Sequence, residues 1–172
     1  MDRRVALGVI AGATALGALA YLFRTREEDV LARRLRELGE VAELPIAGES
    51  ASGRAARVTR ALGELILPDA VIRAPELSGE RQSRAGLVAL AVELPALVET
   101  AELTFEHVEV RFAEHRDAAR VQADAVLTFT DATGAYRERR QVVCRFVAAG
   151  GAWRVAGLEV GPAEDLPPEA RP

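Results

Sequence analysis

The strongest hydrophobic pattern in the chain is an unbroken apolar segment near its N-terminus. It runs from Val5 to Phe23, contains no charged residue and has Thr14 as its one clearly polar side chain. As an α-helix this segment measures about 28 Å, close to the ~30 Å hydrocarbon core of a bilayer. The pattern predicts a transmembrane anchor over residues 5–23, in which Gly8 and Gly12 supply small residues for close helix approach.

The residues around this segment leave two interpretations open. A short basic tail of residues 1–4 precedes it, and Ala18 and Ala20 are small residues at the spacing that signal peptidase reads. A cleaved signal peptide is therefore one interpretation. The apolar run continues beyond that site to Phe23, which favours an uncleaved anchor.

The orientation of the anchored domain depends on charges that favour opposite answers. Arginines after the apolar segment outnumber those before it, which by the positive-inside rule places the domain in the cytoplasm. Acidic residues at positions 27–29 and 37 reduce the net positive charge after the segment. A short basic tail before an apolar run is also the usual layout of a signal anchor, and both points favour the opposite orientation. We therefore expect a single-pass membrane protein whose domain is extracytoplasmic.

Apolar positions at helical spacing predict three helices in the first part of the domain. Pro45 ends the first helix, Ser52 caps the second, and Ser83 caps the third, which Pro95 ends or kinks. In chain order, the apolar faces consist of Leu31, Leu35, Leu38 and Ala42; Val58, Leu62, Leu65 and Ile66; and Leu87, Leu90, Ala91 and Leu94.

Alternating apolar and polar positions predict strands in the second part. Leu103 and Phe105 have the opposite parity to Val110 and Phe112, which indicates a bulge near His107. Helices segregated from an antiparallel sheet predict the α+β class, with the apolar face of the sheet curled over the helices. The predicted strands lie at residues 70–74, 103–112, 119–130, 136–147 and 153–160.

Composition excludes several chemistries. The formal net charge is −4 and all 22 basic residues are arginine, so there is no P-loop lysine, no Schiff-base lysine and no basic excess for nucleic acid. Cys144 is the single cysteine, which excludes an internal disulfide and a C-x-x-C pair. His107 and His115 form no metal-binding motif. We predict no metal site, no cofactor and no nucleic-acid partner.

Several local patterns together resemble one protein superfamily. They are the order of the elements, the segment Pro68–Arg73, the Gly79 turn followed by Arg84–Val88, and the closing segment Gly150–Val160. Over residues 27–161 the chain resembles the nuclear transport factor 2-like superfamily, also called SnoaL-like or ketosteroid isomerase-like, with a cystatin-like α+β fold. The resemblance implies a cone in which a bent antiparallel sheet wraps around about three helices. Residues 162–172 are predicted to form a Pro-rich flexible tail.

The resemblance also implies a cavity in the cone, which family members use to bind a small apolar molecule, to catalyse isomerisation or dehydration, or to contact another protein. Family enzymes place an Asp, His or Tyr in the cone as acid or base, whereas the predicted apolar faces of this chain carry none. No catalytic residue is therefore predicted. The candidates for lining a ligand pocket are His107, Phe129, Tyr136, Phe146, Trp153 and Glu159.

Two classes of function remain. The favoured one is a non-catalytic, membrane-anchored bacterial module that holds a partner protein, a second copy of itself or an apolar, lipid-like ligand at the lipid bilayer. The alternative is a small isomerase- or dehydratase-like enzyme for an apolar substrate, with His107 or Glu159 as base. A cone filled by its own apolar side chains would exclude the enzyme, and an open pocket bearing either residue would favour it.

Overall fold

The computed structural model describes residues 26–44, 49–75, 77 and 82–166, and it confirms the α+β class. The helices are α1 at residues 26–42, α2 at Ala51–Leu65 and α3 at Arg84–Glu93, which continues into a short 3-10 turn at Leu94–Ala96. The strands are β1 at Ile66–Arg73, β2 at Thr100–Phe112, β3 at Ala118–Asp131, β4 at Gly134–Ala149, β5 at Ala152–Val160 and β6 at Glu164–Asp165.

The predicted anchor, with Val5, Gly8, Gly12 and Phe23, lies outside the described residues. Among the helices that the structure describes, none has the length and apolar character needed to cross a membrane. The anchor therefore stays a prediction from the sequence.

The strands form one mixed sheet in the order β1-β5-β4-β3-β2, with β6 beside β4. β1 runs parallel to β5, whereas all other neighbouring strands pair in antiparallel fashion. The prediction of a purely antiparallel sheet is therefore wrong for β1. Alternation of side chains reveals which face a strand buries but not the direction of its neighbour. The long segment between β1 and β5 provides the crossover that a parallel pair requires.

β1 is longer than the pattern of side chains predicts. It begins at Ile66, directly after α2, instead of at Ala70. Pro68 lies inside the strand, and a proline normally ends or excludes strand pairing because it lacks an N–H donor. It is accommodated here because β1 is at the edge of the sheet and its register with β5 shifts between Ile66 and Val71.

Serine side chains cap both α2 and α3. Ser50, rather than the predicted Ser52, caps α2, because its Oγ accepts a hydrogen bond of 3.1 Å from the backbone N of Gly53. The predicted cap of α3 is confirmed, since the Oγ of Ser83 accepts a 3.2 Å bond from the backbone N of Gly86. In each case the cap residue has an extended backbone, which turns its side chain towards the free N–H groups of the first turn.

The bulge predicted in β2 is confirmed. The register between β2 and β3 shifts between Glu106 and Glu109, and His107 adopts a φ of 50°. A bulge adds one residue to a strand and so reverses the parity of everything that follows it. Apolar residues on both sides of this bulge consequently pack against the core.

The hydrophobic core lies between the helices and the inner face of the sheet, as the patterns predict. α1 passes close to β2 at Gly39. A Cβ atom at this position would lie 2.5 Å from the carbonyl oxygen of Leu103, so the close approach depends on glycine. The large side chains that are fully buried are Leu31, Leu35, Val58, Ile66, Ile72, Val121, Phe146 and Val155.

A buried arginine joins the C-terminal ends of α1 and α3 to α2. Arg54 is 3% exposed, and its Nε donates a 3.0 Å hydrogen bond to the carbonyl of Ala91 in α3. Its Nη1 donates a 3.3 Å bond to the carbonyl of Glu43, just after α1, and lies 3.7 Å from the carboxylate of Glu49. Burial lowers the pKa of this guanidinium. Carbonyls at helix C-termini lack helical partners and carry partial negative charge, so Arg54 satisfies groups that would otherwise be buried unpaired.

The first part of the predicted flexible tail is a sheet strand. β6 pairs with β4 opposite Glu138 and Arg139, and the backbone N of Leu166 donates a 2.9 Å bond to the carbonyl of Arg137. This pairing is possible because β4 extends beyond the end of β5 and leaves backbone groups on that edge. Residues 167–172 lie outside the described part of the chain.

Candidate ligand-binding cavity

A cavity of about 350 Å³ lies between the three helices and the inner face of the sheet. Every helix and four of the strands, β2 to β5, contribute to its wall. The lining residues are Leu35, Leu38, Val41, Ala42, Leu62, Leu87, Leu90, Ala91, Leu94, Leu103, Phe105, Ala125, Leu127, Glu138, Arg140, Val142, Cys144, Leu158 and Val160. The cone is therefore not filled by its own side chains.

α3 directs its apolar face at this cavity. Leu87, Leu90, Ala91 and Leu94, the positions that the helical spacing predicts, all line it. None of the residues of α3 is fully buried, whereas α2 buries Val58, Leu62 and Leu65. The amphipathic pattern of α3 thus lines a cavity instead of forming a close-packed helix interface.

β4 supplies the wall that runs from a charged end to a closed apolar end. Its inward-facing positions are Glu138, Arg140, Val142 and Cys144, of which the last two are 5% and 0% exposed. The side chains of Glu138 and Arg140 are 17% and 20% exposed. At ~3.3 Å per residue this wall is on the order of 20 Å long.

Glu138 and Arg140 are bonded to each other across the charged end. The Nε of Arg140 donates a 2.9 Å hydrogen bond to Oε1 of Glu138. Among the described residues that line the cavity, these two are the only charged ones. Both lie on the part of β4 beyond its last pair with β5, and Glu138 pairs there with Asp165 of β6. Their parity, equal to that of Val142 and Cys144, was the sequence signal that could have placed them in the cavity.

Cys144 lies at the apolar end and is fully buried. Burial raises the pKa of its thiol to about 12, because a thiolate would be poorly solvated there. It is therefore protonated at neutral pH and is not a nucleophile. The interpretation of Cys144 as a small buried hydrophobe is confirmed.

Neither of the two polar pocket candidates lines the cavity. The side chain of His107 is 75% exposed, and its Nδ1 lies 3.0 Å from Oδ2 of Asp124. The side chain of Glu159 is 47% exposed and accepts a 3.2 Å bond from Arg73 of β1. The bulge turns His107 outwards, and Glu159 alternates with Leu158 and Val160, which line the cavity from β5.

The four aromatic candidates also lie outside the cavity lining. Phe129 and Tyr136 stack on each other at 5.1 Å beside the turn between β3 and β4. Trp153 packs on Phe112 at 6.0 Å, and Phe146 is 1% exposed within the close-packed core. Phe146 has the predicted inward parity, but it lies one inward position beyond Cys144, where the core has closed.

Comparison with known proteins identifies the fold but no family. No protein-family model and no curated protein matches the sequence. Among solved structures, a protein of the nuclear transport factor 2-like superfamily from Salmonella enterica matches 86% of this chain and 99% of its own, with 11% identity and a TM-score of 0.62. The fold is the nuclear transport factor 2-like fold. The resemblance seen in the sequence is confirmed at that level.

Two further structures with the nuclear transport factor 2-like fold show how far the likeness extends. A nuclear transport factor 2-like protein with a cystatin-like fold from Novosphingobium aromaticivorans has 19% identity and a TM-score of 0.61, over 86% of this chain and 87% of its own. A hexachlorocyclohexane dehydrochlorinase has 11% identity and a TM-score of 0.64, over 88% of this chain and 96% of its own. Identities this low establish the shared fold alone.

Within this fold the cavity offers few chemical groups. Glu138 provides an acceptor, Arg140 provides donors, and the rest of the wall is apolar apart from the protonated thiol of Cys144. In the part of the chain that the structure describes, no three His, Cys, Asp or Glu side chains come together in a way that could hold a metal ion. The arrangement suits capture of an apolar molecule with a small polar end.

Proposed function

We propose that this protein binds an apolar small molecule in the cavity between its helices and its sheet. The observation that supports this proposal is an apolar cavity of about 350 Å³ whose wall carries one charged pair, Glu138 and Arg140. Small-molecule sites typically measure about 300–1,000 Å³ and combine an apolar wall with a few placed polar groups. An apolar wall and one charged pair are sufficient for binding, and no catalytic group is needed.

The proposal includes the location of the domain relative to a membrane. The apolar run from Val5 to Phe23 anchors it in a bilayer, and the domain faces the extracytoplasmic side. An anchor of this kind keeps the cavity within reach of lipid-like molecules, which concentrate in membranes. A partner protein or a second copy that delivers or receives the ligand is compatible with the same arrangement.

Filling the cavity should abolish binding. Ala91 lines it from α3, so in Ala91→Phe a phenyl ring occupies space that the ligand needs. We expect the affinity for the neutral fluorescent probe N-phenylnaphthylamine to fall about tenfold or more. The measurement is a fluorescence titration of the full chain in detergent micelles, with micelles alone as background.

The same helix provides the matched control. Ala89 is exposed and does not line the cavity, so Ala89→Phe should leave probe binding unchanged. Far-UV and near-UV circular dichroism establishes that both variants are folded. If Ala91→Phe does not fold, Leu90→Trp tests the same wall. If folded Ala91→Phe, or Leu90→Trp in its place, binds the probe as tightly as Ala89→Phe does, the proposed site is refuted.

A second candidate function is an elimination reaction in the same cavity. It is supported by the presence of a carboxylate, Glu138, in an apolar wall beside a guanidinium, and by the structural likeness to a dehydrochlorinase. Glu138 would accept a proton from a substrate carbon, a carbon–carbon double bond would form, and the departing anion would leave beside Arg140. The summed oxidation state of the two reacting carbons does not change, so the reaction needs no oxidant or reductant.

Chloride release from hexachlorocyclohexane separates the two candidates. Release by the native chain that is lost in Glu138→Gln and kept in Glu159→Gln would support elimination over simple binding. Glu159 is a suitable control because it also pairs with an arginine, but on the outer side of the sheet. Tight probe binding without chloride release favours the binding function.

A further inference from the structure

The charged end of the cavity has a composition that selects among ligand head groups. Glu138 and Arg140 project from the same face of β4 and carry opposite charges, with Nε of Arg140 2.9 Å from Oε1 of Glu138. They lie beyond the end of β5, at the partly exposed end of the wall, while Val142 and Cys144 continue the wall into the core. A ligand whose apolar body fills the cavity therefore brings its polar end to this pair.

A charged head group fits this pair poorly. A carboxylate that approaches Arg140 also meets the carboxylate of Glu138, and an ammonium group that approaches Glu138 also meets the guanidinium. In either case one member of the pair repels the charged head group, which lowers the affinity. The pair thus disfavours both signs of charge.

An uncharged hydroxyl satisfies both members of the pair. Its oxygen accepts a hydrogen bond from Arg140, and its O–H donates to Glu138. The length of the β4 wall, on the order of 20 Å from Glu138 to Cys144, suits an extended apolar body better than a compact one. We infer that the ligand is an elongated, uncharged amphiphile with a hydroxyl at one end, an inference that rests on the proposed binding function.

Three probes of equal chain length test this inference. Decanol, decanoate and decylamine have ten carbons each and carry a neutral, a negative and a positive end at neutral pH. Displacement of N-phenylnaphthylamine from the full chain measures their affinities. We expect decanol to bind about tenfold more tightly than either charged probe.

Substitution of each member of the pair should change this selectivity in opposite directions. In Glu138→Gln the carboxylate that repels an anionic head group beside Arg140 is removed, so decanoate should gain about tenfold relative to decanol. In Arg140→Gln the carboxylate of Glu138 remains, so decylamine should gain by a similar factor. Glu159→Gln, which removes a carboxylate outside the cavity, should leave all three affinities in their native order.

The failure of this inference can be told apart from failure of the proposed function. If native protein binds neither N-phenylnaphthylamine nor any of the three probes, the proposed binding function is refuted. If it binds all three equally, or if Glu138→Gln leaves the ratio of decanoate to decanol unchanged, binding stands and head-group selection by the charged pair is refuted.

Discussion

Truncation of Phe146 to alanine is expected to lower the free energy of unfolding by about 3–5 kcal/mol. Phe146 is 1% exposed and lies on β4 between Ala119 of β3 and Val155 of β5, both of which are also buried. Removal of its ring leaves a void in a region where the surrounding strands are held by their backbone pairing and cannot collapse onto it. Urea denaturation followed by circular dichroism measures the change.

The matched control is Phe129→Ala. Phe129 is only partly buried and stacks on the exposed Tyr136, so its truncation should cost about 1 kcal/mol. Since Phe146 does not line the cavity, Phe146→Ala should also retain affinity for N-phenylnaphthylamine under conditions where it is folded. A variant of unchanged stability that loses the probe would instead show that Phe146 belongs to the ligand site, as the sequence predicts.

Replacement of Arg54 by methionine is expected to cost about 3–5 kcal/mol of folding free energy, because two hydrogen bonds from a charged group are lost at about 1.5–3 kcal/mol each. Methionine keeps much of the volume but leaves the carbonyls of Glu43 and Ala91 without their donor in a buried place. Since Ala91 lines the cavity, displacement of α3 should weaken probe binding as well. Urea denaturation and probe titration measure the two effects.

Arg57→Met serves as the control for the ion pair with Glu49. Arg57 lies on the same helix and donates to both carboxylate oxygens of Glu49, at 2.7 and 3.1 Å, but it is more exposed and does not reach α3. Its replacement should cost about 1 kcal/mol or less. Equal losses for the two variants would mean that the ion pair with Glu49, rather than the carbonyls of Glu43 and Ala91, accounts for the stabilisation by Arg54.

Local features of this fold could be predicted from the sequence because they depend on few neighbouring residues. The cap of α3 needs Ser83 and the first turn that follows it. The bulge in β2 follows from a reversal of parity on the two sides of His107. The apolar face of α3 follows from spacing alone. In each case the controlling interaction lies within one element or one turn of the chain.

The lining of the cavity could not be predicted in the same way, because it depends on how far the open space extends between the helices and the sheet. Parity placed Phe146 on the inward face, yet the cavity ends at Cys144 and Phe146 lies in the core beyond it. Glu138 and Arg140 have the same inward parity, but parity alone does not show whether the space opposite a residue is open. Whether an inward residue meets a cavity or a packed side chain depends on the elements opposite to it, which no local pattern contains.

The sequence by itself determined the α+β class, the three helices, the bulge and the long antiparallel strands, because hydrophobic periodicity and capping act over short distances. Only the tertiary structure decided that β1 runs parallel to β5, that α3 lines a cavity, and that Glu138 and Arg140 form its one charged pair. These features arise where segments distant in sequence meet. Their geometry depends on how far each helix stands from the sheet, a distance fixed by packing of the whole domain.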